Sequence, residues 1–253
     1  AQEGGDTINP KAKSGNHALG NIYNYSACGL NYASGYQVLG ARGNPFMCFG
    51  CAMPAQPADV VISGIPAGAT IIQAYAWWTT SGKSSTGSIT VQNPDGSSGS
   101  FAAVEAGIDI DKCWIGIFPT LVGATHTFRA DITSIITGTK NGTYKVSGLP
   151  SYWTDNSNDA DGVKLFIIYS DPAANYRGEL LIYDGALAVN LDTTANPILT
   201  STLTGFSVGS GLIQANGFIV VSDFQSSSGD HWTTINGVDQ NIPFFTMCFF
   251  HDE

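Results

Sequence analysis

Residues 163–169 read VKLFIIY, and residues 179–189 read ELLIYDGALAV. Both runs are short, rich in β-branched and aromatic side chains, and apolar at nearly every position. A strand with one face in water alternates apolar with polar residues. A run with almost no polar position belongs to a strand covered on both faces or set in a sandwich core. These two runs therefore predict the centre of an all-β domain.

Working outward, the neighbouring segments read as further strands with turn signals between them. Residues 70–78 (TIIQAYAWW) alternate and end on two tryptophans. Residues 87–92 (GSITVQ) lead into Asn93-Pro94-Asp95-Gly96, a turn by composition. Residues 101–104, 112–118 and 125–130 continue the pattern, and Asn141-Gly142 precedes a strand at 143–147. Later strands are expected at 217–223 and 231–235. Only residues 131–136 (DITSII) predict a helical turn, with Asp131 placed to cap it. Many short strands with almost no helix predict a two-sheet antiparallel β-sandwich.

The first part of the chain reads differently. Residues 1–58 are rich in Gly, Asn, Ala and Tyr and hold three of the five cysteines. Sustained alternation is not evident there, and Met53-Pro54-Ala55-Gln56-Pro57 reads as a linker, because proline removes ladder donors. The expected organisation is an extended cysteine-containing segment over 1–58, acting as a connector between subunits, and a sandwich domain over 59–253.

Composition narrows the partners. Charged residues are 12% of the 253, about half the ~25% usual for soluble proteins. A surface of neutral Ser, Thr, Asn and Gln repels copies of itself weakly. Net charge is −10 with only 10 Lys and Arg, which argues against nucleic acid and against anionic membrane surfaces. No apolar run approaches the ~18–20 residues of a membrane span, so no membrane insertion is expected. The opening Ala1-Gln2-Glu3 is expected to be the start of an exported chain whose signal has been removed. The expected location is secreted, extracellular and at the cell surface.

Export permits disulfides, and Cys28, Cys48, Cys51, Cys113 and Cys248 are the candidates; the odd count leaves one thiol over. The Cys48-Phe49-Gly50-Cys51 spacing lacks the following His of a haem site, the βαβ setting of a redox site and the second pair of a zinc site. His17, His126, His231 and His251 lie in neither a G-x-S-x-G elbow nor an H-E-x-x-H pair. Each has an adequate structural reading, so no enzyme and no catalytic residue is expected. Asp184-Gly185 reads as a turn with a buried, hydrogen-bonding Asp.

Two binding chemistries are legible. Asp155, Asn158, Asp159 and Asp161 crowd a loop closed by Gly162, a donor set suited to a hard cation, so calcium is the candidate cofactor. The same composition also makes a good solvated turn. Trp78, Trp153 and Trp232 are candidate stacking platforms for a glycan; Trp77 and Trp78, being adjacent in a strand, must face opposite sides. Asn24-Tyr25-Ser26 and Asn141-Gly142-Thr143 match N-glycosylation acceptors.

Four stretches together carry a family likeness. They are IPAGAT leading into AYAWW (65–78), FRADITSIITGTKNGTYKVSG (128–148), DGVKLFIIYSDPAANYRGELLIYDGALAV (161–189) and GFIVVSDFQSSSGDHWTTINGVDQN (217–241). The pattern resembles a family of β-sandwich domains in large secreted and surface-attached bacterial and archaeal proteins. The resemblance implies jelly-roll-like packing and an adhesive or scaffolding role. The chain departs from it in its cysteine-containing first segment, and it is expected to stand alone as a single short unit. The expected function is a structural subunit of an extracellular filament or surface assembly. Its partners would be copies of itself, joined head-to-tail through the N-terminal segment by strand addition. The alternative is a monomeric calcium-dependent module that binds glycan or another surface.

Overall fold

A computed structural model describes residues 13–14, 19–39, 56–82, 87–110, 124–150, 158–186 and 202–205, three single positions between 211 and 216, and strands at 220–224, 234–235, 238–239 and 249–252. In chain order the strands are β1 (Lys13–Ser14), β2 (Gly20–Cys28), β3 (Leu30–Val38), β4 (Ala58–Ile62), β5 (Thr70–Gly82), β6 (Ser88–Gln92), β7 (Ser98–Ala102) and β8 (Val104–Ile110). They continue as β9 (Ala124–Asp131), β10 (Gly142–Ser147), β11 (Asn158–Ser170), β12 (Arg177–Asp184), β13 (Val220–Phe224), β14 (Thr234–Ile235), β15 (Val238–Asp239) and β16 (Phe249–Asp252).

Two sheets form the sandwich. One has six strands in the order β1-β8-β9-β5-β11-β3, the other four in the order β4-β10-β6-β7. All their pairings are antiparallel except β1 with β8. The core between the sheets follows from strict alternation. On β4 the buried residues are Ala58, Val60 and Ile62, with Asp59 and Val61 outward. Val163, Leu165, Ile167 and Tyr169 of β11 and Ala74, Ala76 and Trp78 of β5 meet them from the larger sheet. The turn after β9 is one turn of 3-10 helix at Thr133–Ile135. Asp131 stands one residue ahead of the cap position and still holds the turn, accepting from the Thr133 N–H at 2.9 Å.

The second face of the larger sheet is also covered. β2 and β12 pair antiparallel into a two-stranded ribbon. Ile182 and Leu180 of β12 and Tyr23 and Ala27 of β2 pack on Phe166 and Ile168 of β11. This double cover is why β11 is apolar at nearly every position. β12 differs from the sequence expectation: only Ile182 is fully buried, Leu181 and Tyr183 on its other face are half-buried, and Glu179 is exposed.

One strand of the ribbon, β2, and the sheet strand β3 lie within the segment expected to be an extended connector. Residues 20–38 instead form two nine-residue strands paired within the chain, β2 along β12 and β3 along β11. Two glycines make this possible. Gly29 turns β2 into β3 with φ +62, and a Cβ there would sit 2.0 Å from the Asp171 carbonyl oxygen. Gly35 lets β3 press against β4, where a Cβ would lie 2.2 Å from the Val61 carbonyl oxygen.

Candidate functional site

The richest polar cluster among the described residues lies under the ribbon. β9 alternates so that Phe128 and Ala130 enter the sandwich core while Arg129 turns to the opposite face. The β5–β9 register sets Arg129 beside Trp77. β12 ends at Asp184, whose carboxylate accepts from the Arg129 guanidinium and, at 3.1 Å, from the Trp77 indole N–H. Both ion-pair side chains are 9% exposed. The guanidinium also lies 5.6 Å from the centre of the Tyr75 ring. Burial pushes the Tyr75 hydroxyl up to about 12; Arg129 opposes this, and Asp131 and Asp184 add to it. Tyr23 packs edge-on to Tyr75 at 6.3 Å, and its own hydroxyl is raised mainly by burial. The cluster has satisfied charges and no exposed donor set. Its chemistry is that of a latch holding β12, and through it β2, on the sheet.

A second constellation sits in the sandwich core. The register pairs Thr80 with His126, which places them side by side on one face. His126 is bonded through Nδ1 to Glu105, and its ring stacks on Phe128 at 6.0 Å. An acid, an imidazole and a hydroxyl in a row are the parts of a nucleophile-activating relay. Among the described residues neither His126 Nε2 nor Thr80 Oγ1 has a hydrogen-bond partner, so base and hydroxyl are not joined to each other. Thr80 is wholly buried.

The residues singled out from sequence distribute as follows. Cys28 is exposed at the end of β2 with its thiol unbridged; Cys48, Cys51, Cys113 and Cys248 lie outside the described residues. Asp155 is also outside them. Asn158, Asp159 and Asp161 belong to the first part of β11, and the backbones of Asn158 and Asp159 pair with Gly82 and Ser81 of β5. Three of the four calcium candidates are thus strand residues and not loop residues. Among the described residues no group of three or more His, Cys, Asp or Glu is gathered for a metal. Trp78 requires a correction as a glycan platform. It is 2% exposed and stacks on Phe128 inside the sandwich, because its parity on β5 points it at the four-stranded sheet. Trp77 takes the other face, beneath the ribbon. Trp153 and Trp232 lie outside the described residues.

Sequence reasoning passed over Arg129 and Tyr75. The available signal was an Arg at an alternating position in an otherwise apolar strand, which needs a buried partner wherever that face is covered. The chain matches no protein-family model, no curated protein and no solved structure.

Proposed function

We propose that the chain is a structural subunit of an extracellular filament or surface assembly, joined to its neighbours through the segment that precedes β2. The observation carrying this reading is β1. Lys13 and Ser14 pair in parallel with Gly107 and Ile108 on the outer edge of β8. A segment that pairs there within one chain has the backbone chemistry to add a strand to the same edge of another copy. Strand exchange of this kind gives a head-to-tail contact that need not close on itself. The low charge of the surface and the resemblance to secreted scaffold domains point the same way. With β2 and β3 built into the body, the connector in this reading shortens to residues 1–19. The glycan-binding alternative has lost one stacking residue, since Trp78 is buried.

Sedimentation velocity on the purified full chain, with non-reducing electrophoresis beside it, tests the proposal. Concentration-dependent polymers or ladders are expected. A monodisperse monomer at every concentration would refute it.

A further inference from the structure

Two segments of the sequence match the N-linked acceptor pattern; both asparagines are exposed, and they differ in what their amides are bonded to. Asn141 has both ends of its amide in use. Its Nδ2 donates to the Ile65 carbonyl at 2.7 Å, and its Oδ1 accepts from the Ile65 N–H at 2.9 Å. Ile65 itself is 3% exposed. Asn141 is itself exposed, but with Oδ1 and one Nδ2 hydrogen held by the Ile65 backbone its amide cannot turn in a transferase site without breaking a clamp that seats a core residue.

Asn24 lies on β2, where Ile22, Tyr23 and Ala27 pack on the sheet; the register shifts at Asn21–Tyr23, and beyond that shift, from Tyr23 to Ala27, the inward parity is that of Tyr23 and Ala27. Asn24 and Ser26 therefore point away from the sheet, and both are exposed. Their partners across the ribbon are Leu181 and Glu179. The Asn24 amide makes no hydrogen bond with the described residues. Among the described residues the Ser26 hydroxyl makes no hydrogen bond either; the contact at Ser26 is the Arg177 guanidinium on its carbonyl oxygen. Two positions apart on one strand face, amide and hydroxyl are about 7 Å apart along the backbone, on a strand whose backbone pairs with β12 and whose side chains here are exposed.

We propose that Asn24 is an N-linked glycosylation site and that Asn141 is not. The modification joins Asn24 Nδ2 to the anomeric carbon of an oligosaccharide. The bond from that carbon to the phosphate oxygen of a polyisoprenyl-linked donor breaks, the lipid phosphate leaves, and Nδ2 loses one proton. The outer face of the ribbon is then a solvent-facing surface of the subunit. This inference rests on the extracellular part of the functional reading and not on polymerisation.

The test is transfer in vitro. Folded full chain is incubated with a purified oligosaccharyltransferase that reads Asn-X-Ser/Thr and its lipid-linked oligosaccharide, and sites are assigned by mass spectrometry. A synthetic peptide of residues 20–28 runs in parallel. One oligosaccharide per chain is expected, lost in both N24Q and S26A and retained in N141Q. An unmodified Asn24 overturns the proposal whether or not the peptide is modified, as does equal modification of Asn141. Circular dichroism of each variant checks that the fold persists. Sedimentation of the unmodified chain reports on polymerisation separately, so either reading can fail alone.

Discussion

The two faces of the six-stranded sheet are built on different physics. Toward the four-stranded sheet the contacts are aliphatic and close-packed, with Val163, Leu165 and Ile167 of β11 wholly buried. Toward the ribbon they are aromatic and polar, with Tyr23, Tyr75, Trp77 and Phe166 around the Arg129–Asp184 pair. The first face needs only alternation and volume. The second needs particular partners, because a buried charge without its counter-charge is costly. The difference suggests that the sandwich supplies the bulk of stability, while the latch fixes where the ribbon lies. Placement of the ribbon in turn sets where the chain before β2 leaves the body.

The strongest way to break this comparison is Asp184→Ala. It leaves Arg129 buried without its partner and should destabilise the fold by about 3–5 kcal/mol, read by urea unfolding. Replacing Arg129→Met together with Asp184→Leu should recover much of that loss, since the charge is then gone. A small effect of the single change would mean that the pair is solvated and that the ribbon face owes little to it.

On the other face, Ile167→Ala should cost about 2–5 kcal/mol through lost burial and the cavity left behind. No second substitution nearby should rescue it by charge removal, which separates the two mechanisms. A smaller step is Trp77→Phe, which removes the indole N–H bonded to Asp184 but keeps an aromatic ring. A loss of about 1.5–3 kcal/mol is expected for a hydrogen bond to a charged group. A double-mutant cycle of Trp77→Phe with Asp184→Ala should show strong non-additivity.

Alkaline pH probes both faces at once. Burial raises the hydroxyls of Tyr75, on the ribbon face, and Tyr144, in the sandwich core, to about 12 from an ordinary 10.0. In the unfolded chain these groups lose their protons first, so their stabilising contribution is complete below pH 10. It is lost as pH rises from about 10 to about 12. Thermal melts across that window should fall, and Tyr75→Phe and Tyr144→Phe should each flatten the slope.

Much of the sandwich was legible because its signals are local. The double-sided burial of β11 is written in VKLFIIY, and alternation marks β4, β5, β6 and β10. β2 and β3 were missed because their outward faces carry Asn, Ser, Tyr and Cys and their inward faces use Tyr, Ala and Gly. Hydropathy contrast is weak in such strands, and the glycines at 29 and 35 answer to neighbours far along the chain. The latch was half legible. Asp184 was readable as a buried turn residue, but its partner Arg129 lies 55 positions away and is fixed by register. Sequence parity likewise said that Trp77 and Trp78 face opposite ways, without saying which sheet each meets.

The central claim is that the chain before β2 joins copies of this protein. Negative-stain electron microscopy of the full chain beside a chain of residues 20–253, at matched concentration, tests it directly. The account predicts filaments or extended arrays from the full chain and dispersed single particles from the shortened one. Equal assemblies from both, or none from either, would contradict it.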